Sequence, residues 1–204
     1  MTHSILRLVF ILFLVIKPLS AAADNTILIL GDSLSAAYGL QQEEGWVKLL
    51  QDKYDDEQAD IELINASISG ETSGGALRRL DALLEQYEPT HVLIELGAND
   101  GLRGFPPKLI QTNLSKMIDM VRQSESTPLL MQIRVLPNYG KRYTEAFAEL
   151  YPKTAQQHQV TLLPFFLEGV ITKPDWMMAD GLHPKPEAQP WIAEFVANEL
   201  INHL

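Results

Sequence analysis

Two kinds of apolar pattern alternate along this chain. Short, mainly apolar runs of strand length come at Thr26–Leu30, Ile61–Asn65, His91–Leu96, Leu129–Ile133 and Val160–Leu163. A strand buried on both faces reads this way, because side chains pointing in both directions must be apolar. Between these runs lie longer segments whose apolar residues recur three and four apart, the spacing that lines one face of a helix. Trp46, Leu49 and Leu50 mark a helix over Gly45–Tyr54, and Leu77, Leu80, Leu83 and Leu84 mark one over Gly75–Tyr87. Ile110, Leu114, Met117, Ile118 and Val121 predict a third over Leu109–Val121. Further helices are expected at Thr144–Gln157 and Pro186–Leu200, the last with Ile192, Phe195, Val196 and Leu200 inward.

Five buried strands alternating with helices predict a three-layer α/β/α domain around a doubly wound parallel sheet. The 204 residues suffice for one sizeable core without requiring a second. No internal repeat or low-complexity tract divides them. In such a sheet ligands sit beyond the carboxyl ends of the strands. That is where chemistry is to be sought.

Residues 1–23 do not fit the domain pattern. Arg7 supplies a positive start, Leu8 to Ile16 is an unbroken apolar run, Pro18 breaks it, and Ser20-Ala21-Ala22-Ala23 follows. That order is a secretory signal peptide, and the nine-residue run falls well short of the roughly 20 residues a membrane span needs. The expected protein is therefore periplasmic or secreted, with a single domain over residues 24–204 and no stable membrane insertion after cleavage. No Cys follows the run, so lipoprotein attachment is excluded.

Charge and cysteine content narrow the chemistry. The chain carries 16 Lys and Arg against 26 Asp and Glu, a net charge of −10. Losing Arg7 and Lys17 with the signal leaves 14 against 26, or −12. A nucleic-acid binder needs a basic face for phosphates, and no Lys/Arg cluster supplies one. With no cysteine there is no disulfide, no thiolate nucleophile and no cysteine-held zinc. The histidines show no HExxH spacing, so no metal is called for.

Polar motifs gather in the loops after the strands. Gly31-Asp32-Ser33-Leu34-Ser35 follows the first, which puts a serine hydroxyl at the start of the next helical segment. The loop after the second contains Ser69-Gly70-Glu71, and a glycine there lets backbone approach a ligand and offer its N–H. Gly97-Ala98-Asn99-Asp100 follows the third, with an amide that could meet developing negative charge. Asp180-Gly181-Leu182-His183 precedes the last helix, and an acid three residues from a histidine can hold its Nδ1–H and leave Nε2 free. Each motif alone is an ordinary turn. Together they supply a nucleophile, a base with its orienting acid, and three oxyanion donors.

These four blocks resemble those of the SGNH (GDSL) hydrolases, from about Thr26 to the C-terminus. The likeness extends to the bacterial thioesterase I / lysophospholipase L1 / arylesterase group through Leu96–Phe105, Leu129–Arg134 and Asn138-Tyr139-Gly140. The resemblance implies a flavodoxin-like fold and cofactor-free hydrolysis of esters and thioesters, including acyl-CoA-type thioesters, lysophospholipids and aryl esters. It implies Ser33 as nucleophile, His183 as general base and acid, and Asp180 as its partner. The oxyanion hole would be the N–H of Ser33, the N–H of Gly70 and the side chain of Asn99. Ala98 stands where relatives can have Gly, which bears on substrate preference. Val135, Leu136, Pro137 and Tyr139 are expected walls for the acyl chain, with Phe165, Phe166, Trp176 and Met177 as further apolar candidates. The expected partner is a small acyl ester or thioester met by a monomer. A carbohydrate acetyl-esterase with the same triad is the alternative; a flavodoxin-like binding module would need a phosphate loop that the chain lacks.

Overall fold

A computed structural model describes residues 25–135 and 139–204, so the signal-peptide segment, Leu136 and Pro137 lie outside the described residues. Five strands form one parallel sheet: β1 (Asn25–Gly31), β2 (Ile61–Asn65), β3 (His91–Glu95), β4 (Thr127–Met131) and β5 (Thr161–Leu163), in the order β2-β1-β3-β4-β5. Among the described residues seven helices flank it: α1 (Trp46–Asp56), α2 (Ser73–Tyr87), α3 (Ala98–Leu102), α4 (Pro107–Gln123), α5 (Lys141–His158), α6 (Leu167–Ile171) and α7 (Gln189–Leu200). α1 packs against α7, while α2, α4 and α5 pack in succession, which gives the two outer layers. The α/β/α architecture expected from the alternating runs is the one observed.

The core lies where the two periodicities meet. Ile27 to Leu30 of β1 and Val92 to Ile94 of β3 are fully buried, and so are Ile110, Leu114, Met117, Ile118 and Val121 on one stripe of α4. β2 differs from its apolar sequence: its residues are half-buried or exposed, because it is an edge strand with a neighbour on one side only. Phe195 packs against the core from a half-buried position, and the closing helix is preceded by a 3₁₀ turn at Pro186–Ala188. Among the described residues no helix is long and apolar enough to cross a membrane.

The strand order decides where the site falls. β1 is followed by β2 on one side, and β3 pairs on β1's other side. The connections leaving β1 and β3 therefore diverge, and a crevice opens between them at their carboxyl ends. Ser33 leaves β1 there and Asn99 leaves β3.

Candidate active site

Ser33 lies two residues past the end of β1, in a run of turns rather than at a helix start as its sequence suggested. The Asp32 carbonyl accepts from Ser35 and Ala36 N–H, and α1 begins only at Trp46. Asp32 explains the difference. Its Oδ1 accepts the Leu34 N–H at 3.1 Å, an arrangement that competes with helix formation. Trp46 then braces the turn from outside: its indole donates to the Leu34 carbonyl at 3.1 Å, and its own N–H goes to the Gln189 side chain at 3.0 Å.

Asp180 and His183 come from a tight loop closed by a bridge between Met177 and Pro184. Asp180 Oδ1 accepts from the N–H groups of Leu182 and His183, and Oδ2 lies 2.6 Å from His183 Nδ1. Slight burial pushes the Asp180 carboxyl up, but these hydrogen bonds outweigh it and hold the group at about 2. A carboxylate facing Nδ1 keeps the proton there and leaves Nε2 as acceptor. His183 Nε2 lies 2.9 Å from Ser33 Oγ. Tyr38 lies against the imidazole with ring centroids 4.3 Å apart. Residues 150 apart in sequence thus form one hydrogen-bonded relay.

Ser33, Gly70 and Asn99 all border a single cavity of about 440 Å³ beside that relay. Gly70 sits in an exposed loop at φ +79°, backbone a side chain would strain, and its carbonyl is held by Arg103 at 3.1 Å. Asn99, in the first turn of α3, donates from Nδ2 to Asp32 Oδ2 at 3.1 Å, and its other amide N–H has no partner among the described residues. Asp32 itself is fully buried; desolvation raises its carboxyl from 3.8 to about 6 against the opposing bonds from Leu34 and Asn99.

Apolar side chains form most of the remaining wall. Leu34, Leu102, Val135, Phe165, Leu167 and Ile171 border the cavity, and Arg134 and Glu168 pair along it. Of the walls expected from sequence, Val135 and Phe165 are present. Tyr139 lies apart from the lining, with its hydroxyl on the Leu102 carbonyl at 3.1 Å. Phe166 and Met177 belong to the core, and Trp176 packs against Trp191 under Lys173. Leu102, Leu167 and Ile171 escaped the sequence reading because α3 and α6 have five residues each, too short to show a helical period.

Comparison with known proteins gives a consistent picture. Residues 29–189 match the model of the GDSL-like lipase/acylhydrolase family. An arylesterase of Vibrio mimicus is 59% identical over 194 residues, covering 95% of this chain and 96% of the relative. The thioesterase 1/protease 1/lysophospholipase L1 of Escherichia coli is 51% identical over 195 residues, covering 94% and 92%. Among solved structures, the psychrotrophic esterase EstA of a Pseudoalteromonas species, inhibited by monoethylphosphonate, superposes with a TM-score of 0.87 at 60% identity. That match covers 88% of this chain and 98% of EstA.

Proposed function

The chain belongs to the GDSL-like lipase/acylhydrolase family, and on that premise we propose that it is an exported serine hydrolase of acyl esters and thioesters working through Ser33, His183 and Asp180. The observation that carries the reading is the relay Asp180–His183–Ser33, with contacts of 2.6 and 2.9 Å. The named activities of its relatives, arylesterase and thioesterase/lysophospholipase, support the substrate class. So does EstA's inhibition by a phosphonate, an electrophile of the kind a serine nucleophile attacks.

In this mechanism Ser33 Oγ attacks the acyl carbonyl as His183 Nε2 takes its proton. Asp180, ionised at any working pH, keeps the imidazole oriented and stabilises its charged form. The N–H groups of Ser33 and Gly70 and the other amide N–H of Asn99 receive the oxyanion. His183 returns the proton to the departing alcohol or thiol, and an acyl-enzyme remains. Water then gives a proton to His183 as it attacks the acyl carbon, and His183 passes that proton to Ser33 Oγ as the carboxylic acid is released. The apolar wall from Leu34 to Ile171 suits an alkyl chain better than a glycan. Lysophospholipids, aryl esters and acyl-CoA-type thioesters share that chain and differ in the leaving group. The segment 1–23 is proposed as the export signal, residues 24–204 as one domain, and the protein as a monomer.

Hydrolysis of p-nitrophenyl esters from acetyl to dodecanoyl, beside Ser33→Ala and Asn99→Ala, tests the reading. Medium or long chains should be preferred, and Ser33→Ala should be inactive. Asn99→Ala should lose about 10²–10³ in kcat while remaining folded. Activity confined to acetate would favour the carbohydrate esterase, and an active Ser33→Ala would overturn the nucleophile.

A further inference from the structure

Glu95, the last residue of β3, is completely buried, and the mechanism above makes no use of it. Burying a carboxyl group is unfavourable, and a leucine or methionine would fill the same volume at lower cost. Its contacts explain its presence. Oε2 accepts the Ser35 hydroxyl at 2.8 Å and faces the Asp32 N–H at 3.4 Å. Those two residues bracket Ser33. Oε1 has no partner among the described residues. Desolvation, reinforced by the neighbouring Asp32 carboxyl, pushes the Glu95 carboxyl well above the usual carboxylate range.

The nucleophile turn is built around this group. Gly31 is extended, so it is not a glycine for conformational reasons. A Cβ at Gly31 would stand 2.7 Å from Glu95 Oε2 and 2.9 Å from Ser67 Oγ, closer than atoms can approach. The glycine is the space in which the Glu95 carboxyl sits. Gly31 and Glu95 are also register partners on the two central strands. From there the chain of contacts runs on: Glu95 meets the Asp32 N–H, and the Asp32 carboxyl holds the Asn99 amide. One end of this chain fixes the serine turn and the other fixes an oxyanion donor.

We propose that Glu95 is a positioning residue for the hydrolytic reaction, a buried acid on β3 that fixes the Ser33 turn relative to Asn99 through the Asp32 N–H and the Ser35 hydroxyl. The proposal rests on Ser33 being the nucleophile. Glu95 touches no substrate; it sets where the reacting groups stand. Displacements of about 1 Å at such sites can lower rates 10²-fold.

The test compares Glu95→Leu, Glu95→Gln, Ser35→Ala and the Glu95→Leu/Ser35→Ala double variant with wild type and Ser33→Ala. It reads kcat and KM on a p-nitrophenyl ester, the rate of labelling by a phosphonate, and urea unfolding. Glu95→Leu should lower kcat and labelling by about 10- to 100-fold with KM little changed. Ser35→Ala should lose several-fold, and the double variant should be no slower than Glu95→Leu, since both act through one contact. Glu95→Gln, whose amide oxygen can accept the same two bonds, should restore most of kcat. A Glu95→Leu protein that unfolds earlier in urea but keeps wild-type kcat per folded molecule overturns the proposal. So does a Gln variant as slow as Leu. Should Glu95→Leu fail to fold, Ser35→Ala decides alone: unchanged kcat rejects the positioning role. An inactive Ser33→Ala beside unimpaired Glu95 variants rejects positioning only, whereas an active Ser33→Ala rejects the nucleophile as well.

Discussion

Asp32 and Asp180 are both aspartates of the site, yet their surroundings drive them in opposite directions. Asp180 is partly exposed and accepts three hydrogen bonds, so it stays ionised down to about 2. Asp32 is fully buried, and desolvation raises it to about 6. The consequences for stability have opposite signs. Folded Asp32 holds a proton that the unfolded chain has released, so its contribution is present below pH 4 and lost as pH rises through about 6. Asp180 contributes above pH 4, and that contribution is lost as pH falls through about 2. We therefore expect Asp32→Asn to flatten the dependence of urea-unfolding stability on pH between 4 and 6, while lowering activity because Asn99 loses its carboxylate partner. An unchanged slope would show that Asp32 does not titrate in that range. Ser33, Asn99, Asp180 and His183 were legible in the sequence because each sits in a short motif whose parts are local. Glu95 was not: it reads as the polar end of an apolar run, and only its burial against Gly31 gives it meaning.

α5 illustrates how far local patterns reach. The sequence predicts a helix over Thr144–Gln157, and the helix extends to Lys141–His158 straight through Pro152. A proline there cannot donate to the carbonyl of Ala148 four residues back, which should weaken or break the helix. Gln132, just past β4, supplies the missing donor: its Nε2 bonds the Ala148 carbonyl at 3.1 Å. Gln132→Leu should therefore cost about 1 kcal/mol in urea unfolding by leaving that carbonyl unpaired. In a Pro152→Ala background, where the backbone N–H returns, the cost should largely vanish; equal losses in both backgrounds would rule the pairing out. Elements this long announce themselves by periodicity. The boundaries were less visible: the fourth strand runs over Thr127–Met131 rather than Leu129–Ile133, because pairing with β3 begins at Thr127. Apolar content locates a strand approximately, and hydrogen bonding to a neighbour sets its ends.

At the scale of the molecule, one core without disulfides carries the whole structure. Leu93, at the middle of central β3, is fully buried, so Leu93→Ala should lower unfolding free energy by about 2–5 kcal/mol. Its kcat per folded molecule should stay near wild type, because the site stands on the loops beyond the strand; a collapse of kcat in folded protein would tie the core directly to the chemistry. The sequence by itself determined the layers, the parallel sheet and the four motifs, since burial on two faces, helical period and turn chemistry are all written locally. Only the tertiary structure decided that β1 and β3 lie side by side, and so that the Ser33 turn and Asn99 share one crevice with a loop 150 residues away. It alone assembled the cavity wall from α3, α6 and the loops, and set a buried acid beneath the Ser33 turn. Such contacts depend on which distant segments meet in space, and nothing in the local alternation of apolar and polar residues encodes that meeting.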